Sequence, residues 1–118
     1  MRTFTHVSDI VRAFIAIMNS GLTSRIYNVG NPDNVCSVKE LARKVLALSG
    51  SRSEIEHVDP QVLYGPLYEE AWNKIPDITK IVKELRWMPL RGLYDIVKEE
   101  IEFVRGKLNI LDPDAVPA

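Results

Sequence analysis

Apolar side chains recur at helical spacing in four stretches of the chain. Ile10, Phe14, Ile17 and Met18 form one stripe, which predicts a helix opened by Ser8 or Asp9 and stopped at Asn19-Ser20-Gly21. Leu41, Val45 and Leu48 form a second, behind Ser37-Val38-Lys39-Glu40. That tetrapeptide is a capping box, in which Ser37 and Glu40 satisfy each other's backbone donors, and Ser49-Gly50 closes the helix. A third helix is predicted after Asp77 on Ile78, Ile81, Val82 and Leu85, and a fourth over Leu93 to Val104. Three shorter runs read as strands: Arg2 to Val7, Arg25 to Val29, and Glu54 to Val58. Gly30-Asn31-Pro32-Asp33-Asn34 is a dense turn cluster, and Asp59 to Trp72 is a long loop of the kind that often carries function. Residues 109–118 read as a tail after a folded unit spanning 1–108.

Alternation of short strands with helices predicts an α/β arrangement. So few strands are little for a free-standing sheet, so the pattern points to a piece that completes a larger domain. The length of 118 residues suits one domain, and 46% apolar with 26% charged content is that of a globular protein. A formal charge of −1 supplies no basic field, so nucleic acid is not an expected partner. A small anionic ligand needs only one or two placed cations. The single cysteine, Cys36, excludes an intrachain disulfide and suits a reducing cytoplasm. No apolar run approaches a membrane span, and no signal-peptide pattern opens the chain. Met1 followed at once by a strand suggests an abrupt start.

Four blocks in order give the chain a likeness. Arg2-Thr3-Phe4-Thr5-His6-Val7-Ser8-Asp9 is similar to an R-x-F-x-x-V-x-D strand-to-helix stretch. Ile26-Tyr27-Asn28-Val29-Gly30-Asn31-Pro32, then Ser37 to Leu41, is similar to an (I/V)-(Y/F)-N-(I/V)-G-N-P strand end with its S-x-x-E-L helix start. Pro76-Asp77-Ile78-Thr79-Lys80 and Glu84-Leu85-Arg86-Trp87-Met88-Pro89 resemble a P-D-I-x-K…E-L-G-W-x-P block. Together they resemble the C-terminal, substrate-binding region of the extended short-chain dehydrogenase/reductase family, the NAD-dependent epimerases, dehydratases and decarboxylases of nucleotide sugars. Tyr64-Gly65-Pro66-Leu67-Tyr68 and the step from Tyr68 to Lys74 look most like the nucleotide loop of UDP-glucuronic acid decarboxylase-like members.

The resemblance implies a small α/β substrate-binding subdomain that holds a nucleotide-diphosphate sugar. It implies that the Rossmann half, NAD(P) and the catalytic groups lie elsewhere in the full-length enzyme, so the isolated chain is expected to be inactive. Relatives of this kind are commonly dimers through Rossmann-side helices, which allows a homodimer of the whole enzyme. Arg2 matches an arginine on the diphosphate, and its planar fork of donors suits phosphate oxygens. Tyr68 matches a tyrosine beside the nucleotide. Lys74 stands where the family has a second arginine; it keeps the charge and loses the bidentate fork, which puts decarboxylation itself in doubt. Arg86 is a second departure, where the family prefers glycine.

Each feature also has a plainer reading. Arg2 and Lys74 could be solvated surface cations, and Tyr68 and Trp72 could be loop packing. Asp77 reads mainly as a helix cap, Asp9 as mainly structural, and Trp87 as a core anchor. His6 and His57 are too far apart to suggest a metal pair, and Cys36 has no basic neighbour to activate it. Tyr94-Asp95-Ile96-Val97-Lys98 has the letters of the family's catalytic Y-x-x-x-K, yet it falls in the terminal helix. The glycines at 21, 30, 50, 65, 92 and 106 never cluster into a pyrophosphate cradle. No catalytic, cofactor-binding or metal residue is therefore expected here. The alternative is a free-standing binding or oligomerisation module derived from the same domain, without chemistry.

Overall fold

The computed structural model describes residues 1–111. Its elements are β1 (Arg2–Thr3), α1 (Val7–Asn19), β2 (Val35–Cys36), α2 (Val38–Ser49), α3 (Pro60–Tyr64), α4 (Thr79–Leu85) and α5 (Leu93–Leu111). Helices dominate, and the sheet is one antiparallel pair in which Arg2 faces Cys36 and Thr3 faces Val35. This is a small α/β arrangement with far less strand than the alternating runs suggested. On its other edge β1 meets the segment around Lys74 through a parallel bridge between Arg2 and Lys74. The Lys74 N–H donates to the Met1 carbonyl at 3.2 Å and the Thr3 hydroxyl to the Lys74 carbonyl at 3.3 Å.

The expected strand at Arg25 to Val29 does not form. Its polar groups go to α4 and the approach to it instead. The Tyr27 hydroxyl donates to Glu84 at 2.6 Å, the Lys80 ammonium to the Ile26 carbonyl at 2.9 Å, and the Asn28 amide to the Asp77 carbonyl at 3.3 Å. Without a neighbouring strand to take its ladder, the segment docks extended on side chains and leaves Ile26 85% exposed. Glu54 to Val58 likewise finds no partner and is exposed throughout.

The core is small. Ala13, Ile81 and Trp87 form its buried centre, with Ile17, Tyr27, Val29, Ile78 and Leu85 packed around them. A radius of gyration of 18.0 Å exceeds the ~13–14 Å of a compact chain this long. Along α1, Val7, Val11, Phe14, Ile15 and Met18 are all exposed, leaving an apolar stripe uncovered.

Asp9 ties the pieces together. Fully buried at the start of α1, its carboxylate accepts the Arg12 guanidinium at 2.6 Å, the Leu90 N–H at 3.1 Å and the Arg91 N–H at 3.0 Å. The Trp87 indole donates to the Asp9 carbonyl at 3.1 Å, which anchors that ring in the core as expected. The turn cluster grips the same linker: Asn31 and Asn34 each donate to the Arg91 carbonyl at 3.0 Å.

The cap of α1 is His6 and not Ser8 or Asp9. The Ser8 N–H donates to His6 Nδ1 at 3.1 Å, which leaves Nε2–H to donate to Glu99 at 2.7 Å. The α2 capping box forms as predicted. Helix α5 runs on through Leu111, so the backbone of residues 109–111 is helical where the tail was expected to begin, and residues 112–118 of that expected tail lie outside the described residues. Among the described residues no helix is long and apolar enough to cross a membrane.

Candidate functional site

The long loop has its own local order. The Asp59 carboxylate accepts the Gln61 N–H at 2.9 Å and Pro60 fills the first helical position, so a single turn of helix, α3, forms where none was expected. Gly65 ends it at φ +95°, a value glycine adopts without strain. The Tyr68 N–H then donates to the Gly65 carbonyl at 3.1 Å, and the Tyr68 ring sits 5.1 Å from that of Tyr64.

This turn delivers Tyr68 to Glu70 and Arg2. The Tyr68 hydroxyl donates to Glu70 Oε2 at 2.8 Å, and the Arg2 guanidinium pairs with Glu70 Oε1. Arg2 Nη1 also donates to the Ala71 carbonyl at 2.8 Å. The three side chains are each partly buried. They form one cluster at the exposed end of β1.

Lys74 joins this edge through its backbone bridge to Arg2. Its exposed side chain lines an open, mainly polar cleft with Thr3, Thr5, Asn28 and Gly30. Gly30 is buried against Pro76: a Cβ added there would come within 2.7 Å of the Pro76 ring, so only glycine lets the two walls of this cleft meet. Of the three residues singled out from the sequence, Arg2 and Tyr68 therefore meet on Glu70, whereas Lys74 joins them only through its backbone and its side chain lines a cleft that includes neither. Glu70 was not legible, because its partner Arg2 is 68 positions away; Tyr68 two residues earlier was the one local signal.

The remaining candidates separate from this edge. Trp72 is 80% exposed and packs on no core. Cys36 is buried, and burial pushes its thiol up and away from nucleophilic use, the nearby Glu40 carboxylate adding to the effect. Tyr94 and Lys98 lie on an exposed face of α5, where Lys98 faces Glu102 at 4.0 Å. Neither they nor the scattered glycines form the close-spaced backbone cradle that a dinucleotide pyrophosphate needs. Among the described residues no group of three or more His, Cys, Asp or Glu is placed to hold a metal.

The chain is 36% identical over 104 residues to the UDP-N-acetyl-alpha-D-glucosaminuronate decarboxylase of Bacillus cytotoxicus, across 88% of this chain and 32% of that protein. It is 32% identical to UDP-glucuronic acid decarboxylase 1 of Xenopus tropicalis, across 92% of this chain and 24% of that protein. By sequence the chain belongs with the extended short-chain dehydrogenases/reductases. A third relative, UDP-D-apiose/UDP-D-xylose synthase 1 of Arabidopsis thaliana, is 29% identical across 86% of this chain and 28% of its own length. No family model matches the chain. It spans about a quarter to a third of the length of the curated relatives it matches. Decarboxylases of UDP-sugars are among these relatives, as the resemblance to UDP-glucuronic acid decarboxylase-like members implied.

Proposed function

We propose that this chain is the C-terminal substrate-binding subdomain of a cytoplasmic NAD-dependent sugar-nucleotide epimerase, dehydratase or decarboxylase. It grips a nucleotide-diphosphate sugar and performs no chemistry alone. The observation that carries this reading is the meeting of Arg2 and Tyr68 on one carboxylate, Glu70, at the edge of β1 to which the backbone of Lys74 is bridged. Arg2 offers the diphosphate a planar fork, Tyr68 a hydroxyl and a ring, and Lys74 a point charge at the mouth of the polar cleft. The relatives are named as enzymes of UDP-sugars, which supports a uridine nucleotide as the substrate class.

NAD(P) and the groups that move hydride and protons come from a Rossmann half on this reading. The uncovered apolar stripe of α1 and the small core support a surface that packs against such a half. Arg2→Ala in the full-length protein is expected to weaken UDP about ten- to a hundredfold, the loss of a charge-assisted contact of ~1.5–3 kcal/mol. Equal UDP affinity in mutant and wild type by calorimetry would remove Arg2 from the ligand and the reading with it.

A further inference from the structure

Glu70 stands where an anionic ligand would stand. Its carboxylate engages both the Arg2 guanidinium and the Tyr68 hydroxyl, the latter at 2.8 Å. Those are two of the groups assigned above to the diphosphate. Carboxylate and phosphate make the same demand on a guanidinium, since each presents paired oxygens to its planar fork. The neighbouring Ala71 carbonyl takes another guanidinium donor at 2.8 Å, so the segment wraps Arg2 from one side.

We propose that Glu70 is a built-in competitor for this anion site. Its carboxylate occupies Arg2 and Tyr68 in the free protein and leaves when a nucleoside diphosphate binds. The proposal rests on the reading of Arg2 and Tyr68 as diphosphate contacts. Glu70 lies in a stretch without helix or strand, and its side chain is one-third exposed, so it can turn to water without disturbing the core. The displaced ion pair is of the weak, partly solvated kind, so its loss is repaid by a doubly charged ligand. An uncharged nucleoside has nothing with which to displace it. Glu70 thereby lowers the site's affinity for a charged ligand about three- to tenfold and leaves that for an uncharged nucleoside unchanged.

The test is calorimetry of the full-length protein with UDP and with uridine. Glu70→Gln keeps the size of the side chain and removes its charge; Glu70→Ala removes it entirely. Both are expected to bind UDP about three- to tenfold more tightly, with uridine unmoved. In the Arg2→Ala background the Glu70→Gln gain is expected to shrink, since Tyr68 alone then holds the carboxylate. Unchanged or weaker UDP binding in both Glu70 variants, with Arg2→Ala still weakening it, overturns the competitor alone. UDP binding that is absent throughout, or indifferent to Arg2→Ala, overturns the reading beneath it as well.

Discussion

Asp9→Asn would remove one charge from the point where α1, the Trp87–Arg91 linker and the core meet. The wild-type carboxylate accepts from Leu90 N–H on both oxygens at 3.1 Å, from Arg91 N–H at 3.0 Å and from Arg12 at 2.6 Å. An asparagine of the same shape offers a single oxygen and turns its amide N–H toward donors. At least one of these donors then loses its acceptor. A buried donor left unpaired costs ~1–3 kcal/mol, and a bond from a charged donor contributes ~1.5–3 kcal/mol. Arg12 is 40% exposed and can turn to water, so its share is discounted. The expected destabilisation is about 2–4 kcal/mol, against a total of ~5–15 kcal/mol for a domain.

Urea unfolding followed by circular dichroism measures this, with the midpoint moving and the slope unchanged. The pH dependence supplies a sharper test. Burial raises the Asp9 pKa, but the hydrogen bonds from Arg12, Arg91 and Leu90 outweigh it and hold the carboxyl below its usual range. The folded value is therefore depressed, and the unfolded chain binds more protons in that window. The Asp9 contribution is present above the unfolded carboxylate range near ~4 and is lost as pH falls through the folded value. Glu40 and Asp77 are shifted downward too, by hydrogen bonds from Ser37 and Thr79, and remain in both proteins. The difference between wild type and Asp9→Asn thus isolates one group: the mutant's stability should fall less steeply with acid. A loss under about 0.5 kcal/mol, or parallel pH profiles, would refute the hub.

Two further substitutions test the frame around the site. Arg86→Gly places glycine at the end of α4, where Arg86 holds φ +52°. Relief of the left-handed strain of ~1–2 kcal/mol exceeds the added unfolded-state entropy of ~0.4–1 kcal/mol, so thermal unfolding should show an unchanged or higher midpoint. Gly30→Ala forces a Cβ to within 2.7 Å of the Pro76 ring and should destabilise by ~1–3 kcal/mol in chemical denaturation. A neutral Gly30→Ala would mean that the two cleft walls are free to separate.

The helices were the legible part, because their apolar stripes and caps are local. The Ser37 and Glu40 box fixes the start of α2, and Gly50 at φ +68° fixes its end. Strands were legible only as extended segments. Arg25 to Val29 alternates as a strand does, yet pairing needs a neighbour, and alternation is silent about whether one exists. The two-residue β2 is too short for any pattern to register. Asp59-Pro60 did carry the signal for α3, a capping side chain ahead of a proline, but aromatic and turn residues around it read as loop. Lys74 and Tyr68 came from family likeness and not from spacing. Their meeting with Arg2 depends on chain reversals that no local pattern encodes.

One strand links these parts. β1 is held on one edge by β2 and on the other by the segment at Lys74, so two residues position both the anion cluster and the cleft. Phe4 continues the grip, donating its N–H to the Asn34 carbonyl at 3.2 Å and accepting the Asn34 amide at 3.0 Å. Thr5 accepts the Asn31 N–H at 2.9 Å, and His6 then caps α1, three residues ahead of buried Asp9. The residues that follow Arg2 are thus each held by hydrogen bonds to other elements, whereas Tyr68 and Glu70 approach it from a loop. Such an arrangement fixes the cation and lets its anion change, which is what exchange of Glu70 for a ligand requires.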